Sequence, residues 1–512
     1  MADNVNYGVC QKCSRRVPAE HVIRNGRVYL HKRCPDCGQT EALVSGNAAA
    51  WQRKRDLWRY QERVLPGCTI RCNSCTLHKR PRYMVFLDVT NRCNMNCPIC
   101  VANVPGMGFE FHPPLAYFEN IFRGLARYDP KPVVHLFGGE PTMRSDLFDI
   151  VELARRHGLL VYLVTNGIKL ADEDYCKLVC DRELPVLIGF DGRDPAIYDR
   201  MRKNPGAYYR KAQALENLRK YSRRKSNIIM CCVARHINDR HIADLIQMCH
   251  EHRSHIKGLY FLPLAETWEP GRFEHDITTT IEDVEDIAAA AFPHSRLEFV
   301  PLGLQRHVSK ALAFFGAGAK QTFQAVHPNC ESGTILISDG ERYRPLGDYL
   351  RRPLHQIAGE AVARAQRIGP LLARLDPRRR AQRLAGKLLV MGVFGGLALR
   401  SFDLGKVMAD RPRIRAVRLL GGLLAGRPPG ELVRQHTTLR GALTVIVLPF
   451  EETHSLETAR LQWCGAGFAY EEAATGEVKT IPACAWWLYN VEILKQIMAK
   501  YGKAKEPASP AA

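Results

Sequence analysis

The chain has 512 residues, 46% hydrophobic and 24% charged, an ordinary balance for a soluble globular protein with room for more than one domain. Its formal net charge of +21 predicts an anionic partner such as nucleic acid, phospholipid headgroups or a phosphorylated metabolite, with a solvated basic face as the alternative. The first residues lack the apolar core of a secretory leader, and no uncharged apolar run approaches the ~20 residues of a membrane span. We therefore expect a cytoplasmic protein, with contact at a membrane surface left open.

The 18 cysteines stand in short-spaced clusters, which in a cytoplasmic chain favours thiolate ligation of metals over disulfides. The first cluster consists of two C-x2-C pairs around an alternating pattern with Asn25-Gly26 at its centre, a strong hairpin signal. Four thiolates at such spacing fit a tetrahedral zinc or rubredoxin-like iron site. Residues 1–48 are therefore predicted to be a structural cysteine ribbon with the ligands Cys10, Cys13, Cys34 and Cys37.

Residues 49–81 are predicted to be a linker that ends in a second cysteine set. The linker is rich in arginine and tryptophan. The set consists of Cys68, Cys72 and Cys75, with His78 close behind.

Six strand patterns then alternate with helical patterns. The helical patterns lie at 113–128, 145–158, 172–181, 208–221 and 243–252. The strand patterns lie at 83–90, 133–139, 159–167, 185–192, 227–235 and 256–265. This alternation predicts a parallel, right-handedly wound α/β sheet, and the absence of G-x-G-x-x-G after the first strand favours a barrel or partial barrel. Residues with chemical character fall at the strand ends, the rim where β/α barrels hold their active sites.

The loop after the first strand carries three cysteines, Cys93, Cys97 and Cys100, at C-x3-C-x2-C spacing. Four thiolates would close a metal site, whereas three leave one position empty. In an iron–sulfur cube, three protein thiolates leave one iron free to bind another ligand. A zinc knuckle is the structural alternative.

The stretch TNRCNMNCPIC, followed one βα unit later by a strand that ends in HLFGGEPT, resembles the radical S-adenosylmethionine (SAM) superfamily. The resemblance covers roughly residues 82–265 and implies a partial (β/α)6 barrel, assigned here to residues 82–295. It also implies a 4Fe-4S cluster on the three cysteines, with SAM chelated at the free iron. Reductive cleavage of SAM would then yield a 5′-deoxyadenosyl radical that abstracts hydrogen from an unactivated C–H bond. A small electron donor of the flavodoxin or ferredoxin type is the implied partner.

The resemblance also implies a set of SAM-binding residues at the strand ends. Two glycines allow close backbone approach and a glutamate accepts a charge-assisted bond from the methionyl ammonium. The residues at the third and fourth strand ends would hold the carboxylate and ribose of SAM, or serve as turns and helix caps. The complete set is Gly138, Gly139, Glu140, Thr165, Asn166 and Asp191.

Three further cysteines follow the predicted barrel, Cys330, Cys464 and Cys484. With them the whole chain resembles the subgroup that contains hydroxymethylpterin-methylating enzymes and tetraether lipid synthases. That resemblance implies one or two auxiliary 4Fe-4S clusters, one on the second cysteine set and one on these three cysteines. Tyr83 stands near the position of a further cysteine in that subgroup. Either His78 or a distant thiolate completes the second set, or its cluster is altered or absent.

Residues 296–512 are predicted to be an α-rich region that carries the auxiliary cysteines and a basic, apolar segment. Residues 351–440 hold 19 Lys/Arg against 5 Asp/Glu, a net charge of +14. Apolar helices framed by arginine suit the surface of an anionic membrane, here the inner face of the cell membrane. The alternative is a buried helical pair with a basic outer face.

The leading hypothesis is an enzyme that forms a C–C bond or methylates carbon on a lipid or other long alkyl substrate. A radical methylase of a pterin-like heterocycle fits the same cysteines but leaves the apolar, arginine-framed helices unexplained. A peptide-maturing radical SAM enzyme is a further alternative. A nucleic-acid-binding zinc-ribbon protein is disfavoured, because the basic residues concentrate outside the ribbon and no RNA-recognition pattern is present. We expect no nucleic-acid partner.

Overall fold

The computed structural model describes residues 6–58, 82–268, 271–315 and 326–502. All structural statements concern these ranges. The second cysteine set, Cys68, Cys72 and Cys75, lies outside them together with His78.

The N-terminal module is a four-stranded antiparallel ribbon followed by one helix. Its elements are β1 (Asn6–Val9), β2 (Arg16–Arg24), β3 (Arg27–Cys34), β4 (Gly38–Ser45) and α1 (Ala48–Trp58). The predicted hairpin is confirmed, since Arg24 pairs with Arg27 across the turn. Asn25 and Gly26 both have positive φ, 50° and 71°, as a two-residue type I′ turn requires.

Six parallel strands form the centre of the second sheet, adjacent in chain order from β5 to β10. The strands are β5 (Met84–Thr90), β6 (Val133–Gly138), β7 (Leu160–Thr165), β8 (Val186–Gly189), β9 (Asn227–Val233) and β10 (Ile256–Pro263). The intervening helices are α2 (Leu115–Leu125), α3 (Leu147–Arg156), α4 (Glu173–Asp181), α5 (Pro195–Arg202), α6 (Ala207–Tyr221) and α7 (Ile242–Glu251). All six predicted strands are confirmed, as is the α/β class of the partial barrel.

The strands are apolar because both faces of the parallel sheet are covered. Every residue of β5 after Met84 is buried, including Asp88. Helix α2 shows the complementary pattern, with an apolar stripe at helical spacing that packs into the core. The buried stripe consists of Tyr117, Phe118, Ile121, Phe122 and Leu125.

Strands from the C-terminal region extend this sheet at both edges. The remaining elements up to the helical segment are α8 (Ile281–Ala290), β11 (Val300–Pro301), α9 (Gln305–Ala313), β12 (Ser332–Ser338) and β13 (Tyr343–Pro345). The last elements are β14 (Gly441–Val447), α15 (Thr458–Leu461), β15 (Ala466–Glu471), β16 (Val478–Pro482) and α16 (Asn490–Tyr501). Strand β14 lies parallel to β10, and β15 lies parallel to β5. The division at residue 295 stays a prediction, and the sheet itself is shared by the segments on either side.

Five consecutive helices between β13 and β14 confirm that the C-terminal region is rich in helix. They are α10 (Leu354–Leu372), α11 (Arg380–Ser401), α12 (Leu404–Val407), α13 (Pro412–Leu424) and α14 (Pro429–His436). Helix α11 is, within the described ranges, the one helix whose length and apolar composition would let it cross a membrane. Its 22 residues would reach across a bilayer, whereas its longest uncharged run, Leu388–Leu399, stays short, as the sequence predicts. Four basic residues in α11 break up its uncharged run, which is why the sequence pattern concealed this length.

Candidate active site

The two motif loops of the barrel are hydrogen-bonded to each other. The amide of Gly139 donates to the Thr90 carbonyl at 2.7 Å, and the amide of Glu140 donates to the Arg92 carbonyl at 2.8 Å. A Cβ on Gly139 would lie 2.4 Å from the Arg92 oxygen, and one on Gly138 would lie 2.4 Å from the Thr90 oxygen. The glycines therefore serve close packing of the β6 turn against the strand end that leads into the cysteine loop. Their predicted contact with SAM stays a prediction.

Glu140 is fully buried and ties the end of β6 to the end of β7. Its Oε1 accepts from the hydroxyls of Thr142 and Thr165, both at 2.7 Å. Its Oε2 accepts from the amide of Asn166 at 2.7 Å. A carboxylate offers about four acceptor positions, and Oε2 accepts one hydrogen bond from the described residues, so this oxygen retains capacity for a ligand ammonium.

Thr165 and Asn166 both orient Glu140 and shape the turn after β7. The Thr165 hydroxyl also accepts from the Gly167 amide at 3.0 Å, and the Asn166 side-chain oxygen accepts from the Ile168 amide at 2.9 Å. The Asn166 amide group donates to Asn94 Oδ1 at 2.7 Å. These two residues thus act as turn residues and as links between β7 and the cysteine loop.

The cysteine loop is held in place by polar contacts on both sides. At its start, Asn91 Nδ2 donates to the Phe109 carbonyl at 2.6 Å, and Asn91 Oδ1 accepts from the Phe111 amide at 2.8 Å. At its end, Arg272 donates to Asn103 Oδ1 at 2.9 Å. Thr267, which follows β10, donates to the Cys100 carbonyl at 3.4 Å. Contacts after the first parallel strand, β5, and after the last, β10, therefore hold the cysteine loop in place.

The three thiols of this loop lie close to one another and partly out of water. Burial, and then the neighbouring groups of Glu140, Cys100 and Cys97, raise the pKa of Cys93 to about 12. Burial also raises the pKa of Cys100. Free thiols are therefore neutral here, and a bound metal centre would have to displace their protons.

The donor set of the loop fits an iron–sulfur cube better than a single ion. A single zinc with ~2.3 Å bonds gathers its thiolates within about 4 Å of one another, whereas a cube holds each thiolate on a separate iron. Among the described residues, the ribbon is the one group with three or more ligand atoms within 4.8 Å of one another. The described thiols of the Cys93–Cys100 loop do not form such a group, so they are spaced too widely for one zinc ion, which disfavours the zinc knuckle.

A cavity of about 200 Å³ opens at the carboxyl ends of the strands, beside this loop. The cysteine loop contributes Cys97, and the predicted cofactor residues contribute Gly139, Thr165 and Asn166. Most of the remaining wall is apolar. Its larger members are Met95, Ile99, Phe137, Met230, Leu262, Leu264 and Phe450.

Asp191 does not act as a free ligand carboxylate. Arg202 donates to it from Nε and Nη2 at 2.8 and 3.0 Å, and the Cys232 amide donates at 3.1 Å. Burial opposes ionisation of Asp191, but the Arg202 charge and its hydrogen bonds outweigh burial and hold the pKa of Asp191 below its usual value. A role for Asp191 in SAM binding stays a prediction, and in the structure its carboxylate orients Arg202.

Arg202 and Lys211 are cavity residues that the sequence analysis missed. They are the two cationic side chains in the wall of the cavity. Lys211 Nζ donates to the Gly189 carbonyl at 2.6 Å, and burial lowers the pKa of Lys211 to about 8. Arg202 is the last residue of α5 and Asp191 lies in the loop after β8, with no sequence motif to link them, so only the bidentate geometry reveals the place of Arg202.

The ribbon forms a closed metal site. The sulfurs of its four predicted ligands all lie within 4.8 Å of one another. Hydrogen bonding from the Cys13 backbone lowers the pKa of Cys10 to about 6, whereas hydrogen bonding with Cys13 raises the pKa of Cys37, so the metal-free site favours one thiolate and a bound metal would displace the other protons. Lys32 fixes the ribbon to the rest of the chain, donating to the carbonyls of Val9 at 2.8 Å and Thr453 at 2.9 Å.

The fold also brings the three C-terminal cysteines together. Cys330 precedes β12, Cys464 precedes β15 and Cys484 follows β16. Burial raises the pKa of Cys484, and the nearby Glu451, Cys464 and Cys330 raise it further. A Cβ on Gly465 would lie 1.8 Å from the Tyr83 ring, so the ring packs directly beside Cys464.

Comparison with known proteins supports this geometry. Residues 87–249 match the family described as the Radical SAM superfamily. This chain contains a radical SAM domain. Residues 6–46 match a second family, the HMPTM N-terminal zinc ribbon domain. The resemblance to the radical SAM superfamily predicted from sequence is thereby confirmed, and the roles of the individual motif residues stay predictions.

Several curated radical SAM relatives match part of the chain. The 7,8-dihydro-6-hydroxymethylpterin dimethyltransferase of Methanocaldococcus jannaschii is 31% identical over 269 residues, 51% of this chain and 53% of that protein. The AdoMet-dependent heme synthase of Methanosarcina barkeri is 32% identical over 144 residues, 27% of this chain and 40% of that protein. The chain thus spans about half or less of the length of these relatives.

A solved structure of native anSMEcpe with bound AdoMet and the Cp18Cys peptide is also similar to this chain. It is 22% identical, covers 40% of this chain and 58% of its own chain, and has a TM-score of 0.33. This likeness is too remote to carry an argument of its own.

Proposed function

We propose that this chain cleaves SAM reductively and abstracts hydrogen from an unactivated C–H bond of a lipid or other long alkyl substrate, for C–C bond formation or methylation. The observation that carries the proposal is the Cys93–Cys100 loop, hydrogen-bonded to the Gly138–Glu140 turn at the rim of a largely apolar cavity. A 4Fe-4S cluster and SAM, when bound, supply reductive cleavage of the sulfonium and the hydrogen abstraction.

The chain's own residues hold and orient these groups. Cys93, Cys97 and Cys100 hold the cluster, and Glu140 keeps acceptor capacity for the methionyl ammonium. Lys211 places positive charge in the cavity wall beside the Asp191–Arg202 ion pair, and this charge would suit the carboxylate of SAM.

The apolar wall supports an alkyl substrate. The side chains that β6, β9, β10 and the segment after β14 contribute are Phe137, Met230, Leu262 and Phe450. A polar heterocycle needs matching donors and acceptors in its site, since an unpaired buried polar group costs about 1–3 kcal/mol. An alkyl chain has no such need and gains free energy from contact with these side chains.

A second candidate is methylation of a pterin-like heterocycle. It is favoured by the 31% identity to a pterin dimethyltransferase and by the HMPTM-type ribbon. The two candidates share the radical SAM domain and differ only in the molecule that loses hydrogen.

We also propose auxiliary 4Fe-4S clusters. Cys330, Cys464 and Cys484 would hold one of them, because the fold gathers one buried and two half-buried thiols there. The second set, Cys68, Cys72 and Cys75, would hold another. Anaerobic iron and sulfide analysis tests this assignment. Cys484→Ser should remove about four irons while SAM cleavage is assayed separately.

A small flavodoxin- or ferredoxin-type protein is the proposed electron donor, and the cytoplasm is the proposed compartment. Replacement of dithionite by reduced flavodoxin and its reductase tests the donor. The proposal requires 5′-deoxyadenosine to form at a rate that rises with flavodoxin concentration.

The substrate is tested by isotope transfer. Anaerobically reconstituted protein would be incubated with SAM, reductant and either perdeuterated alkyl lipids or deuterated 6-hydroxymethylpterin. The alkyl proposal expects deuterium from the lipid in 5′-deoxyadenosine, and Cys97→Ser as the matched control should give none. Deuterium from the pterin alone would assign the second candidate instead.

A further inference from the structure

We propose that helices α10, α11 and α13 form a docking surface for an anionic lipid bilayer. Of the fourteen large apolar side chains that are exposed among the described residues, six lie between 371 and 417. This concentration sets the segment apart from the barrel and the ribbon. We name it the basic helical face, and its apolar members are Leu371, Leu384, Leu388, Leu399, Ile414 and Val417.

Helix α11 has two distinct faces. At about 100° per residue, Leu384, Leu388 and Leu399 fall within about 60° of one another. All three are exposed, by 51%, 53% and 43%. On the opposite side, Gly386 and Val390 are buried, and a Cβ on Gly386 would lie 2.2 Å from the Phe314 ring. The helix is therefore anchored on one side and presents leucines to solvent on the other.

Helix α13 adds to the same surface. Lys387 Nζ of α11 donates to the carbonyls of Leu423 and Leu424 at 3.2 and 3.3 Å, which fixes the carboxyl end of α13 beside α11. Ile414 and Val417 of α13 are 47% and 69% exposed. Val417 is the most exposed large apolar side chain among the described residues.

The charged residues of α11 and α13 are all basic. Helices α11 and α13 together contain seven Lys/Arg and no Asp/Glu. The side chains of Arg380, Arg383 and Arg413 are exposed and make no hydrogen bond or ion pair with the described part of the chain. Each basic residue near an anionic membrane surface contributes about 1 kcal/mol of binding free energy, and exposed leucines add apolar burial.

The geometry favours a helix that lies on the bilayer rather than across it. One side of α11 packs on Phe314 and Ile368, so only the leucine side is free for lipid. A nucleic-acid partner leaves the exposed leucines without a role, because its backbone attracts cations alone. A second copy of this face would bring two basic surfaces together, which opposes self-association.

Vesicle flotation tests the proposal with the full chain, without SAM or reductant. We expect wild-type protein to float with phosphatidylglycerol vesicles and not with phosphatidylcholine vesicles. Leu384→Glu/Leu388→Glu should abolish flotation, whereas Ile23→Glu, a 57% exposed apolar residue of the ribbon, should leave it unchanged. Arg380→Gln/Arg383→Gln should weaken binding about 30-fold, the factor for two basic residues at ~1 kcal/mol each. Arg223→Gln/Arg224→Gln on the barrel surface is the matched charge control.

Circular dichroism and thermal unfolding of each variant establish that it folds. Equal binding to neutral and anionic vesicles overturns the proposal, as does equal loss in the control variants. Failure of the wild type to bind vesicles also overturns it. If Leu384→Glu/Leu388→Glu then abolishes salt-sensitive RNA binding or a dimer, the surface belongs to that partner instead. The proposal is separable from the proposed function, because Cys97→Ser should lose SAM cleavage and still float.

Discussion

The two cysteine sites of this chain differ in how completely the protein encloses them. In the ribbon, four thiols from two hairpin ends lie within 4.8 Å of one another and can saturate one ion. In the barrel, three thiols share one loop, and Cys97 lines a cavity. The ribbon site faces its own strands, whereas the barrel site faces open space and the polar groups around Glu140.

The difference shows that cysteine number and the surrounding backbone decide together what a thiolate site can do. A saturated site has no position left for a ligand and serves the fold. A site with three thiolates leaves one coordination position open, and a ligand can reach that position only if a cavity adjoins it. Here the close packing of Gly139 on Arg92 sets that cavity beside the loop.

The largest expected effect comes from the barrel cysteines. Cys97→Ser should lower reductive SAM cleavage by at least about 10³-fold, as for groups that act as one unit with the reacting centre. The ribbon metal should be retained. Production of 5′-deoxyadenosine and metal content per chain are the measurements. Cleavage at the wild-type rate in this variant would contradict the assignment of the open site.

The packing between the two motif loops gives the next effect. Gly139→Ala places a Cβ 2.4 Å from the Arg92 oxygen and must push the loops apart. A shift of about 1 Å in a catalytic group can cost 10²-fold in rate, so we expect a loss of SAM cleavage on that scale. The matched control is Gly369→Ala in α10, where a Cβ meets no atom within 4 Å. Equal activity in both variants would show that this contact does not position the site.

Loss of a metal ligand in the ribbon should have a small effect on catalysis. Cys34→Ser removes one of four ligands, so the ribbon should lose its zinc or iron and unfold locally. SAM cleavage should stay within about threefold of wild type, since a structural site contributes folding free energy rather than chemistry. Metal analysis and limited proteolysis of the ribbon measure the first effect. Loss of SAM cleavage equal to that of Cys97→Ser would make the ribbon part of the catalytic machinery.

Ionisation of the buried Asp88 should affect the stability of the fold and leave SAM cleavage unchanged. Burial raises the pKa of Asp88 to about 7, although Trp486 Nε1 donates to it at 2.8 Å. The folded chain thus keeps a proton that the unfolded chain releases near pH 4, and stability falls as the pH rises from about 4 to about 7. Between pH 5 and pH 8 the free energy of unfolding of the wild type should fall by about 2–3 kcal/mol through this ionisation, a loss that Asp88→Asn should not show.

Thermal unfolding of the wild type and of Asp88→Asn at the two pH values measures this difference. SAM cleavage at pH 7 should be the same in both proteins. Parallel pH profiles of stability would show that Asp88 ionises freely in the folded state.

The parts of the site that are local in sequence were predictable. The strand period, the cysteine spacing and the glycine pair each lie within a short segment, and all six strands appear where the pattern puts them. The hairpin at Asn25-Gly26 follows from the φ values that only such residues adopt readily.

The parts that depend on distant contacts were not predictable. Phe450 reaches the cavity because β14 pairs with β10, a contact between segments nearly two hundred residues apart. Arg202 is held at the cavity wall by its ion pair with Asp191, and α5 carries no sequence motif that marks this role. The close packing of Gly138 and Gly139 on Thr90 and Arg92 was likewise not visible in the motif, and their contact with SAM stays a prediction. Spacing in the sequence identifies candidate site residues, whereas contacts between distant segments determine what those residues touch.

The central claim is that three thiolates leave one iron of the barrel cluster open to SAM. The electron paramagnetic resonance spectrum of the dithionite-reduced protein, recorded with and without SAM, tests it most directly. We expect SAM to change the spectrum of the wild type and to leave that of Cys93→Ala/Cys97→Ala/Cys100→Ala unchanged. An identical response in both proteins, or no response in the wild type, would contradict the claim.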